Sequence, residues 1–331
     1  MLYNYLTIAL RNLRRQAGYA GLNVAGLAVG IAACVLILLF VRDERSYDRF
    51  HEKADRIYRV VAGNGDDGQP TNANGAYAWA PALREAFGDV ELAVRFHMMG
   101  WGEQRLVAHG DRRFYERGFF FADPAVFDVF TFPFVEGDPA TALVAPGTVV
   151  VTREVARRYF GAESAMGRTL TIDPFNDGRP IDFRVTGVVE DVPAHSHLKF
   201  GLLGSWSTQD PARVDGWGFD PVFTYVLLRD GAGPAGLAAQ LPGFVERHLG
   251  EDAWYTLSLQ PIRDIHLRSH LRAELEPGGD VAYVYVFSGI ALLILVIACV
   301  NFTNLATARA ARRAREIGMR KVLGAHRPQL V

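Results

Sequence analysis

The chain is 331 residues long, half of them hydrophobic, with a formal charge of −1 and two cysteines. The near-neutral total hides a division: residues 1–42 hold four arginines and no acid, residues 281–331 hold six arginines, one lysine and one glutamate, and residues 43–280 carry 24 basic and 35 acidic side chains. An acidic middle excludes nucleic-acid binding, its aromatics with frequent Gly and Pro exclude disorder, and with Cys34 and Cys299 both in apolar stretches it folds without disulfides.

In chain order, residues 3–15 set Tyr5, Leu6, Leu10 and Leu13 toward one helical face and Arg11, Arg14 and Arg15 toward the other. This predicts an amphipathic helix at the membrane interface over residues 1–15. Gln16–Val41 is an uncharged run of 26 residues; about 20 suffice to cross a hydrocarbon core of ~30 Å, so residues 16–42 read as a first transmembrane helix. Ile31-Ala32-Ala33-Cys34 resembles a lipoprotein cleavage box, but Val35–Phe40 stays apolar and does not suit a mature N-terminus. Gly26 and Gly30 form a G-x-x-x-G that would let another helix approach.

Asp43–Phe50 reads as a helical extension, Ile57–Ala62 as a strand, Ala78–Phe87 as a helix and Val90–Met98 as a strand. The order recurs with Val222–Leu228 (strand), Ala235–Leu249 (helix, apolar face Leu237, Leu241, Phe244 and Val245) and Tyr255–Leu259 (strand). Two such units predict an α+β fold: a split βαβ subdomain of ferredoxin-like, porter type (43–99 with 221–280) and a mostly β insert (100–220). Insert strands are expected at Arg105–Ala108, Thr148–Thr152, Arg168–Ile172, Phe183–Val189 and Leu198–Leu203, with one helix, Glu154–Phe160.

A second uncharged run, Val281–Ala308, reads as a second transmembrane helix, with Asn301 and Asn304 near its end set to hydrogen-bond a neighbouring helix. Basic side chains flank the two runs on their outer-sequence sides, which predicts both termini in the cytoplasm and residues 43–280 outside.

Chemistry is sparse. The chain has no phosphate loop and no H-E-x-x-H, C-x-x-C or G-x-S-x-G motif. Asp191, His195 and His197 would share one side of an extended segment, but Pro193 breaks it, so no metal site is expected. Asp123-Pro124 with Asp128 reads as a helix N-terminus. The chain is expected not to be an enzyme and to need no cofactor.

The tail beyond the second run reads Arg315-Glu316-Ile317-Gly318-Met319-Arg320-Lys321-Val322-Leu323-Gly324-Ala325. It resembles the FtsX-like, MacB-type permeases of ABC transporters, and so do Tyr47-Asp48-Arg49-Phe50-His51, Ala54–Val60, Arg158-Tyr159-Phe160-Gly161 and Val185-Thr186-Gly187-Val188. The resemblance implies a MacB-like periplasmic core domain and a permease subunit of the bacterial inner membrane. It implies a coupling segment (309–331) in which Glu316, Ile317, Gly318, Arg320, Lys321, Gly324 and Ala325 meet a separate P-loop ATPase, with Glu316, Arg320 and Lys321 on the polar side, Ile317, Met319, Val322 and Leu323 for packing, and breaks at Gly318 and Gly324. Further partners would be a second permease copy or half, membrane lipid, and a periplasmic adaptor or outer partner. Movement of the periplasmic domain would drive export, efflux or extraction of a substrate. Permeases of this type continue with further spans, so the chain reads as a truncated unit. The rival readings are a two-span receptor with an extracytoplasmic ligand-binding domain and a regulator of cell-wall hydrolases.

Overall fold

The computed structural model describes residues 17–64, 69–98, 104–175, 177–213, 216–250 and 253–323. It divides into two compact units, Ser46–Asp280 and Met1–Arg45 with Val281–Val331. The amphipathic helix expected before residue 16 lies outside the described residues.

Helix α1 (Ala17–Glu44) contains no proline and no charge before Arg42. It does not extend to Phe50 as expected: the chain turns after Arg45, and Asp48 takes a positive φ of 57°. Aspartate tolerates this left-handed region better than most residues, and here the turn aims its carboxylate inward, onto the backbone N–H of His197.

The Ser46–Asp280 unit continues through β1 (Ile57–Asn64), β2 (Pro70–Asn72), α2 (Trp79–Ala86), β3 (Val90–Met98), β4 (Arg105–His109), β5 (Arg112–Glu116), β6 (Phe119–Ala122), α3 (Val126–Val129), β7 (Phe134–Gly137), β8 (Thr148–Thr152), α4 (Arg153–Phe160) and β9 (Thr169–Ile172). Then come β10 (Ile181–Val189), β11 (Leu202–Ser205), β12 (Val222–Leu228), α5 (Pro234–Ala238), α6 (Leu241–Leu249), β13 (Tyr255–Pro261), α7 (Ile265–Arg268) and, in the other unit, α8 (Val281–Val322). The described strands form one sheet in the order β13-β1-β12-β3-β6-β11-β8-β10-β9-β4-β5, with β2 beside β1 and β7 beside β10. All pairs are antiparallel except β6 with β11 and β8 with β10.

Side-chain alternation explains how this sheet is covered. Along β12, Phe223, Tyr225 and Leu227 point into one apolar core, and Val226 and Leu228 into a second, beneath α2, α5 and α6. A strand buried on both faces reads as a continuous apolar run, and all seven residues of β12 are buried. A third core, around Phe119, Phe121, Phe183 and Tyr159, fills the space under α4. Burying a side chain of this size stabilises by about 1.5–3 kcal/mol. Thr152 caps α4 by accepting from the Val155 N–H, and Gly161 ends it at φ 69°.

Three expectations change. The single helix over Ala235–Leu249 is two, because Pro242 offers no N–H to the preceding turn and its ring crowds that turn's carbonyl. The strand placed at Leu198–Leu203 begins at Leu202, after a segment whose polar groups bond to Asp48. Asp123 does not cap a helix: its carboxylate takes both a guanidinium edge and the backbone N–H of Arg95, and α3 begins after Ala125 with no side-chain cap.

In the other unit, α8 runs unbroken through Gly318. A helical glycine costs about 1 kcal/mol relative to alanine but does not by itself end a helix; the break expected there does not occur. Contacts between residues 26 and 301, 30 and 298, 34 and 291, and 40 and 287 make α1 and α8 an antiparallel pair. Away from this seam the pair is apolar and bare: Val29, Leu36, Leu38, Leu292, Ile297 and Val300 are each more than half exposed.

Candidate functional site

The charged end of α8 is helix to Val322, with Glu316, Ile317, Gly318, Arg320 and Lys321 all on it; Gly324 and Ala325 lie outside the described residues. Arg315 and Lys321 are exposed, and Met319, Val322 and Leu323 are largely exposed apolar groups. At 100° per residue these three share one face, whereas Ile317 falls about 160° from Met319, next to Lys321. Helix continuity thus removes Ile317 from the packing face assigned to it from sequence. A Cβ at Gly318 would meet no heavy atom within 4 Å among the described residues.

Farther up the helix pair, a Cβ built on Gly30 would lie 3.4 Å from the Ala298 Cβ and 3.8 Å from Ile294. One built on Gly26 would lie 3.8 Å from Asn301 Nδ2. The Cys34 thiol sits 3.3 Å from the Ala291 carbonyl oxygen, and Phe40 meets Phe287 edge-on at 5.3 Å. Asn304 is exposed.

In the Ser46–Asp280 unit, Asp191, His195 and His197 part company. Asp191 accepts from the Glu154 N–H at the start of α4, His195 offers its backbone carbonyl to the Asp48 N–H, and His197 turns inward. The described residues contain no group of three metal-ligating side chains.

His197 belongs to a buried polar chain that the sequence reading missed. Asp48 Oδ1 accepts the His197 N–H (3.1 Å) and lies 2.8 Å from His197 Nδ1. His197 Nε2 and the Tyr225 hydroxyl are 2.8 Å apart. Tyr225 pairs in register with Arg59 on β1, and Arg59 with Gln260 on β13, so alternation puts all three on one face. The fully buried Arg59 guanidinium grips both Glu274 carboxylate oxygens at 2.7 Å and also reaches Ser269 and Gln260. Burial alone would raise the Asp48 carboxyl; the His197 charge and hydrogen bonds outweigh it and, with help from His51, hold it below the usual carboxylate range. Burial pulls His51 down to about 3, with Asp48 opposing. Burial likewise lifts the Tyr225 phenol far above its ordinary value, against the pull of Arg59. The available signal was a lone arginine in the apolar strand Ile57-Tyr58-Arg59-Val60-Val61, on the same face as Ile57.

A second buried group joins the strands at the insert. The Tyr77 hydroxyl bonds to His97 Nε2 at 3.1 Å, and His97 Nδ1 faces Gln209 Oε1. The amide oxygen can only accept, so Nδ1 carries a hydrogen; burial draws the ring's pKa down to about 4 despite the Gln209 bond, which leaves it neutral at pH 7.

A cleft of about 810 Å³ opens beside β6, with Phe119, Phe120 and Phe200 in its lining and charged side chains at its walls. Most of those charges already have partners: Arg158 with Glu116 and Glu154, and Lys199 with Glu276.

Among known proteins, the family model described as the MacB-like periplasmic core domain matches residues 20–243. No curated protein sequence matches the chain. Among solved structures, a domain described as part of a permease protein from Porphyromonas gingivalis is 24% identical with a TM-score of 0.55, over 64% of this chain and 92% of that one. The periplasmic region of MacB from Actinobacillus actinomycetemcomitans is 16% identical with a TM-score of 0.43, over 62% and 88%. The extracellular domain of the noncanonic ABC-type transporter YknZ from Gram-positive bacteria is 12% identical with a TM-score of 0.40, over 61% and 98%. The first shares the fold; the other two are more distant likenesses.

Proposed function

We propose that this chain, which belongs to the family of MacB-like periplasmic core domains of ABC-transporter permeases, is the membrane subunit of such a transporter, driven by a separate P-loop ATPase. The observation that carries the reading is where the family match begins: residue 20, inside α1, so the apolar helix and the folded unit after it belong to one family sequence. Both α1 and α8 are long and apolar enough to cross a bilayer, and their bare apolar flanks are better matched to lipid than to water. With basic residues at their outer-sequence ends, the termini lie in the cytoplasm of a bacterial inner membrane and residues 46–280 on the far side.

The antiparallel order β13-β1-β12-β3 with α2, α5 and α6 over one face supports a ferredoxin-like, porter-type subdomain, with the strands from β4 to β11 as its insert. At the tail, the Met319, Val322 and Leu323 face with Arg315 beside it has the make-up of a docking helix for the ATPase, and Gly26, Gly30 and Asn301 form its upstream packing seam. Closure of the ATPase would shift the helices and, through them, the outer domain. A second permease copy or half would complete the transporter.

Affinity purification of the full chain from bacterial membranes tests the reading. A P-loop ATPase is expected to co-purify and to be lost from the Met319→Glu/Val322→Glu variant. Recovery of a kinase or signalling adaptor instead would establish the receptor alternative and overturn the proposal.

A further inference from the structure

We infer that Asp48, His197, Tyr225, Arg59 and Glu274 form a clasp that makes the segment after α1 and the segment before α8 move together, and that sets the width of the cleft. Asp48 is four residues beyond Glu44, the last residue of α1, and Glu274 is seven before Val281, the first of α8. The two lie at opposite ends of the Ser46–Asp280 unit in sequence. They are joined through its middle by the Asp48–His197 contact, the His197–Tyr225 hydrogen bond, the β12–β1 register and the Arg59–Glu274 fork.

Stability alone does not account for these residues. A buried ion pair is often matched or exceeded in stability by apolar side chains of the same volume, and the surrounding core is already built from Phe96, Phe130 and Phe223. What a buried charged network adds is direction. Each bond holds its partner at one distance and angle, so neighbours cannot slide as apolar contacts do. Arg59 has three hydrogen-bonding partners, Glu274, Ser269 and Gln260, on two chain segments, and its removal would leave the Glu274 carboxylate without its cation.

The segment before α8 and the turn that carries His197, both held by the clasp, also wall the cleft. Glu274, Leu275, Glu276 and Pro277 line one part, while Asp191, Val192, Lys199 and Phe200 flank the turn that carries His197 and line another. Lys199 reaches Glu276 across this space at 3.5 Å. A displacement of Asp48 is therefore delivered to both walls. That such a displacement originates in membrane helices rests on the permease reading; the coupling between the two segments does not.

Hydrogen–deuterium exchange on the full chain in lipid nanodiscs tests the clasp. Asp48→Asn should raise exchange about ten-fold over residues 46–51 and also over 269–275. Glu274→Gln should do the same in reverse, and Tyr225→Phe, in the middle, should loosen both. Amides of β12 should keep their protection throughout. The Asp48→Asn/Glu274→Gln double variant should exceed neither single by much, because each already opens the same unit. If Glu274→Gln unfolds the domain, Ser269→Ala, which removes one hydroxyl from the fork, gives a milder variant. Exchange that rises only around each mutated residue, or that adds in the double, would overturn the inference. An intact clasp in a chain that recruits no ATPase would leave it standing and remove the permease reading instead.

Discussion

His51 and His97 are held neutral by burial, and this gives the Ser46–Asp280 unit a definite acid sensitivity. Each has a folded-state pKa, about 3 and about 4, below the ordinary histidine value of 6.5. Between those values the unfolded chain binds the proton that the folded chain refuses, so stability is fully present above pH 6.5 and falls as pH drops toward 4. Asp48, held low when folded, adds loss of the same sign at the acid end of that range. Each histidine can contribute up to about 1.4 kcal/mol per pH unit. Thermal melts of the detergent-solubilised chain should show the midpoint falling from pH 7 to pH 4.5, and His97→Gln should flatten the slope; an unchanged slope would rule out His97 as a contributor. Sterics set a second outcome at this scale. A Cβ on Gly75 would stand 1.8 Å from a Trp79 ring carbon, so Gly75→Ala must drive the indole out of its core. A loss of several kcal/mol, in the range of a large core disruption, is expected in urea titrations. Neither histidine was readable from sequence: their neutrality comes from strands and loops far apart in the chain.

Strands with strong patterns, by contrast, were plain. Val90–Met98 and Val222–Leu228 stand where alternation and a continuous apolar run put them. Phe119–Ala122 was missed: four buried residues in succession give no period, and its pairing with β3 and β11 is set by residues distant in sequence. Pro242, visible in the sequence, was underweighted within an otherwise helical apolar pattern. In the helix pair, the 3.4 Å approach at Gly30 predicts that Gly30→Ala is accommodated and Gly30→Leu is not, because a branched side chain would run into Ala298 and Ile294. With Ala291→Cys in a Cys299→Ser background, oxidation should join residue 291 to Cys34, and Gly30→Leu should slow that bond about ten-fold or more. Equal rates would show that the helices do not pack through Gly30.

Across the whole molecule, family and fold class were legible, because the apolar runs, their arginines and the tail motif are local features. The order of the sheet was not, since it depends on pairings such as β13 with β1, whose residues lie some two hundred positions apart. The expected side of the membrane can be read directly: alkaline phosphatase inserted at Asp177–Gly178 should be active, and the same enzyme fused after Leu323 inactive. The reverse pattern would invert the proposed orientation.

A sheet that stops at β5 must also be kept from continuing. Within the described residues its outer edge carries no further strand, and Phe114 and Tyr115 stand exposed on it. Open edges recruit one another, and natural proteins deter this with charge. Arg112 and Arg113 occupy the start of that strand. Arg112 is turned onto the Tyr159 carbonyl, which leaves the Arg113 charge to oppose pairing with a second edge, so a concentrated Arg113→Val preparation should turn fibrillar or cloudy where the parent stays clear.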